Sequence, residues 1–186
     1  MDRKEAMRAA VDLLATVVRN VRLRRELSKA CPEPHLNFWR LIYGNCTDTA
    51  VQDWCKLFGA DGGNNQALHW KTLTADADQF RQDLFNALGI KEDEWKAYWQ
   101  EIKTYRDRSV AHFDPRRVEI KTYPKFDLAL ESAYFYYDYL RAELAKVGVT
   151  QMPASLRDYS DDFADQSRDI AKAALSATKG FEEKVR

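Results

Sequence analysis

Five prolines and seven glycines in 186 residues leave few points at which regular structure has to stop. The chain also lacks a run near the ~20 apolar residues of a membrane span. Its opening residues, MDRKEAMRAAVDLL, are charged and periodic where a secretion signal would be continuously apolar. It therefore reads as a cytosolic protein without a membrane partner. Three cysteines, Cys31, Cys46 and Cys55, cannot all pair with one another and form no C-x-x-C unit, which argues against a disulfide framework or a zinc knuckle. Cys46, Cys55 and His69 have a generic spacing that indicates no metal site, and no cofactor motif is present. Net charge is also lacking, with 29 basic and 29 acidic residues, so any nucleic acid must be met by a local patch instead of the overall field.

Helical periodicity is what the chain has. Met7, Ala10, Leu14, Val17 and Val21 follow steps of three and four, predicting a helix to about Lys29 that Cys31-Pro32-Glu33-Pro34 stops. Residues 1–30 hold eight Lys or Arg against four Asp or Glu, read as a solvated face. Two short helices are expected at 36–43 and 48–57, separated by Gly44-Asn45-Cys46-Thr47. The stretch 59–65 reads as a loop without phosphate-cradling spacing. A helix from Thr74 to Leu88 should end at Gly89, and another should start near Lys91 with Glu92, Asp93 and Glu94 at its positive end. Phe126, Leu130, Ala133, Tyr137, Leu140 and Leu144 form a packing seam on a helix beginning near Pro124, and a last helix is expected over about 163–178. The fold class is thus all-α.

Trp95, Trp99 and Ile102 define a stripe whose next position is Arg106. A guanidinium pointing inward needs an anion, either an acid from a neighbouring helix or a phosphate gripped through its planar fork. His112 is six residues further on, about 240° around a continuous α-helix, so the two share no face unless the helix breaks near Asp107-Arg108-Ser109 or a second copy completes the site. Pro115 follows closely and places His112 near a helix end. One Arg and one His suffice for RNA cleavage by the RNA's own 2′-hydroxyl: the imidazole moves a proton and the guanidinium stabilises charge on the phosphoryl oxygens. Arg108, Arg116, Arg117, Lys121 and Lys125 supply the local basic patch, since residues 101–125 hold seven Lys or Arg against four Asp or Glu. Tyr134, Tyr136 and Tyr139 could stack bases, although a tyrosine-rich helix in a bundle more commonly serves packing.

The string Tyr105-Arg106-Asp107-Arg108-Ser109-Val110-Ala111-His112 resembles the R-x(4–6)-H motif of the HEPN superfamily, in its abortive-infection branch. The agreement extends to Asn37-Phe38-Trp39, Trp54-Cys55-Lys56-Leu57-Phe58 and Trp99-Gln100-Glu101-Ile102, over roughly the first 147 residues. The resemblance implies an antiparallel helical bundle over 1–147 with a C-terminal extension over 148–186, homodimeric with both motifs in one cleft, and a metal-independent endoribonuclease used in phage defence or as a toxin, with a cognate antitoxin protein as a possible partner. It carries Arg106 and His112 over as catalytic residues and Asp107 as the polar residue that positions or tunes them. Two alternatives stand beside it: a non-catalytic module that binds RNA, nucleotide or a partner protein, and a structural dimer in which Arg106 pairs with a buried acid.

Overall fold

A computed structural model of the chain describes residues 1–111 and 123–181. Seven α-helices make up the described residues, and no strand occurs among them: α1 (Arg3–Ala30), α2 (Asn37–Phe58), the single turn α3 (Trp70–Leu73), α4 (Ala77–Leu88), α5 (Glu92–Tyr105), α6 (Asp127–Lys146) and α7 (Leu156–Ala177). The long α1 is the hub, packing against α2, α6 and α7. Its buried residues are the predicted stripe of Met7, Ala10, Leu14, Val17 and Val21, and a capping box between Asp2 and Glu5 starts it.

Between α2, α4, α5 and α6 lies an aromatic core. Trp54 stacks on Phe58 and meets Trp95 and Tyr98, and Phe58 and Phe80 both meet Tyr136 edge-on. Each indole in this core that carries a hydrogen bond is oriented by it: Trp54 Nε1 donates to Ser132 Oγ at 3.0 Å, and Trp99 Nε1 to the Phe58 carbonyl at 2.9 Å. Tyr98 Oη donates to the Lys125 carbonyl and accepts from the Ala129 N–H, which ties the start of α6 to α5.

Several expectations are met. Gly89 ends α4 in the left-handed region at φ 66°, the conformation that favours glycine there. The α6 seam is buried from Leu130 to Leu144, with Phe126 partly buried beside it.

Others are corrected. Residues 36–57 do not form two helices; α2 runs unbroken through Gly44 because Trp39, Tyr43, Cys46, Ala50, Trp54 and Leu57 make one continuous buried stripe. Its burial outweighs the ~1 kcal/mol that an interior glycine costs. Thr74 ends α3, and α4 begins three residues later, where Asp76 caps two N–H groups. Part of the expected loop is a 3₁₀ turn over Gly63–Leu68. Pro124 precedes α6 instead of opening it. The last helix starts at Leu156, capped by Ser155, because Ser160 and Ser167 are buried on its inner face and small polar residues do not register as an apolar stripe. The α6 tyrosines serve packing: Tyr134 and Tyr136 are buried, and Tyr139 Oη accepts the Ala75 N–H, so none offers a free face to a base.

The α1–α7 contact contains a buried carboxylate. Glu26 accepts from Lys29 at 2.6 Å and from Arg168 at 3.0 Å. Burial works to raise its pKa, but the hydrogen bonds and charges of Lys29 and Arg168 outweigh it and hold the carboxyl below the ordinary 4.5. A carboxyl depressed in the folded state contributes stability above its unfolded pKa and loses it as pH falls through the folded value. Both cations reach solvent, so the contribution is about 1 kcal/mol. Thermal unfolding of Glu26→Gln should accordingly fall short of wild type at pH 7 and close the gap as pH falls through the folded pKa, whereas a constant gap would show that the contact is not ionic.

Candidate functional site

The Arg106–His112 motif begins where α5 ends. The Arg106 N–H still bonds back to the Ile102 and Lys103 carbonyls, but Arg106–Ala111 winds as one π-helical turn. Its rings close at i→i+5, so each residue advances by less than the 100° of an α-helix, and single turns of this kind recur at functional sites. The helix is thus not broken at Asp107-Arg108-Ser109 but widened there into the π turn. His112, Arg116, Arg117 and Lys121 lie outside the described residues.

Arg106 has about a quarter of its side chain exposed and does not point into a sealed core. The anion it requires is its own neighbour. Arg106 Nε and Nη2 donate to Asp107 Oδ1 at 2.9 and 2.6 Å, and Lys103 Nζ donates to Asp107 Oδ2 at 2.5 Å. Partial burial of Asp107 works to raise its pKa, but hydrogen bonds and charge from Lys103 and Arg106 prevail and keep the carboxyl ionised and below its usual range. Arg108 is partly exposed and has no hydrogen bond or ion pair with another described residue. Lys103, Arg106 and Arg108 thus put three positive charges within six residues of the chain, against the carboxylates of Asp107 and, across on α2, Asp48. That surplus suits a phosphodiester.

The turn rests on α2. Cys55 lies beneath it, and burial pushes its thiol up to about 11 although the nearby Arg106 charge works the other way, so it is a neutral floor and no nucleophile. On the other side Tyr105 Oη donates to Asp48 Oδ1 at 2.8 Å, and its ring faces that of Tyr123 at 6.1 Å. Lys103 and Asp48 are the site neighbours that the motif alone does not single out; Lys103 was legible as an i, i+4 partner of Asp107, whereas Asp48 is brought in by tertiary packing.

His69 lies elsewhere. It is buried, its Nε2 is 3.1 Å from the Gly59 carbonyl and its Nδ1 accepts the Lys71 N–H, so both nitrogens serve the backbone at the start of α3. Burial is the main cause that lowers its pKa, and the imidazole stays neutral. Among the described residues no cluster of three metal-ligating side chains occurs, and no helix there is long and apolar enough to cross a membrane.

No family model, curated protein or solved structure matches the chain.

Proposed function

We propose that this protein is a metal-independent endoribonuclease of the HEPN type, acting as a homodimer in which two Arg106/His112 pairs share a cleft, in phage defence or as a toxin. The observation that supports it most is the π turn opening at Arg106, which presents a fixed, partly exposed guanidinium among surplus positive charge. In this reading His112 takes the proton of an RNA 2′-hydroxyl, whose oxygen attacks the adjacent phosphorus. The bond from phosphorus to the 5′-oxygen breaks, that oxygen takes a proton from the second copy's imidazolium, and a 2′,3′-cyclic phosphate remains. Arg106 stabilises the charge on the non-bridging oxygens, and Asp107 aims the guanidinium.

Incubating the purified protein with single-stranded RNA, with and without EDTA, tests this. Equal cleavage in both, with cyclic-phosphate ends identified by mass, is expected. Intact RNA, or cleavage only with added metal, would reject the proposal.

One observation favours a second reading, a non-catalytic module for RNA, nucleotide or a partner protein: Arg106 already spends two donors on Asp107. That reading requires salt-sensitive affinity without turnover.

A further inference from the structure

A groove of about 330 Å³ has in its walls Arg24, Arg25 and Lys29 of α1, Thr47 of α2, and Tyr123 and Phe126 ahead of α6. Among the described residues no acid lines it. Arg25 and Lys29 are partly neutralised from outside by Asp127 and Glu26. Among the described residues no acid pairs with Arg24: its guanidinium lies 4.4 Å from the centre of the Tyr43 ring and 5.7 Å from that of Tyr123, and its one side-chain hydrogen bond there goes to Ser28 Oγ. A guanidinium carries five N–H donors, so most of those on Arg24 remain for a ligand while the two rings fix its plane. Tyr123 is 60% exposed, an unusual position for a large aromatic ring that already has one face near a cation.

Two contacts link the groove to the motif. Thr47 in its wall precedes Asp48, which holds Tyr105, and Tyr105 both faces Tyr123 and immediately precedes Arg106. Fixed cations beside an exposed ring match a nucleic-acid strand, which offers a phosphate and a stacking base at each step. We infer that this groove is a binding track for single-stranded RNA flanking the scissile position, in which Arg24 holds a backbone phosphate and Tyr123 stacks a base. The inference rests on the nuclease reading and deepens it. It also revises the reading of α1's basic residues as a solvated face: Arg24, Arg25 and Lys29 form one wall of a site.

The test is binding of a fluorescent 2′-O-methyl oligouridylate, which lacks the nucleophile, and of its abasic counterpart, by fluorescence anisotropy over a salt series. Tyr123→Ala should weaken the oligouridylate by on the order of tenfold and leave the abasic strand unchanged. Arg24→Gln should weaken both and lower the slope of log affinity against log salt by about 0.7, the loss of one phosphate contact. Lys29→Ala, at a largely exposed ammonium, provides a second cation variant if Arg24→Gln unfolds, and thermal midpoints show which has occurred. If these variants bind like wild type while Arg106→Ala does not, the groove proposal is overturned and the nuclease reading stands. If the wild-type chain binds neither strand, both are overturned. Equal binding of polyglutamate, unaffected by Tyr123→Ala, would identify a surface for acidic protein segments and overturn the RNA track.

Discussion

Replacing Arg106 with alanine is expected to slow RNA cleavage by about two to three orders of magnitude, the usual loss when one fixed donor to a developing oxyanion is removed. The fold should hardly notice. Arg106 is partly exposed, and its partner Asp107 keeps the 2.5 Å contact with Lys103, so no carboxylate is left unpaired. The stability cost should stay within about 1 kcal/mol. Arg106→Lys retains the charge but not the fork that binds two oxygens and two Asp107 contacts at once, so it should recover little. His112→Ala should cost about 10²–10⁴-fold, the range for a positioned acid or base. Rates from a quantitative cleavage assay, set beside thermal midpoints, decide the matter. A large fall in midpoint for Arg106→Ala with proportionate loss of activity would instead favour a structural ion pair.

The second large effect lies in the core. Trp54→Ala should destabilise the protein by about 3–5 kcal/mol, measured by urea unfolding with an unchanged m-value. Trp54 is 1% exposed and touches the rings of Phe58, Trp95 and Tyr98. Its removal opens a cavity bordered by three helices and also withdraws the donor that Ser132 accepts. In a chain of this size the midpoint should fall by roughly 10 °C or more. Trp54→Phe keeps a ring and loses the hydrogen bond, at a cost of about 1–2 kcal/mol. The effect should reach the site, because Trp54 adjoins Cys55, on which the π turn rests. Loss of cleavage in Trp54→Ala at temperatures where it remains folded is therefore expected as well.

What could be read from the residues was whatever depends on near neighbours. The α1 and α6 stripes, the Gly89 stop and the acidic start of α5 are local matters of period, cap and dipole, and each appears where the pattern places it. A departure from the regular helix at the motif was legible as one of two geometric solutions, the other being a second copy, since six residues in a regular helix set Arg106 and His112 apart. Its form as a π turn was not, because nothing in Asp107-Arg108-Ser109 distinguishes a widened turn from a broken one. The division of α2 failed for a related reason: Gly44 and Asn45 suggest a break locally, but the buried stripe through Cys46 and Ala50 continues the helix. Small polar residues hid the first turns of α7. The groove is long-range in origin, since Arg24 and Tyr123 are neighbours only after α1, α2 and the approach to α6 have assembled.

That assembly has a kinetic side. Glu26 and Arg168 stand 142 residues apart in sequence, and Arg22 reaches Ser160 across 138. Contacts of such separation form late, after the entropy of closing the chain has been met. The α1 face around Glu26 thus waits for α7, and Arg24 and Lys29, two residues before and three after Glu26, are held firmly in place only once α7 has docked. An RNA track on α1 would therefore mature only with the docking of α7.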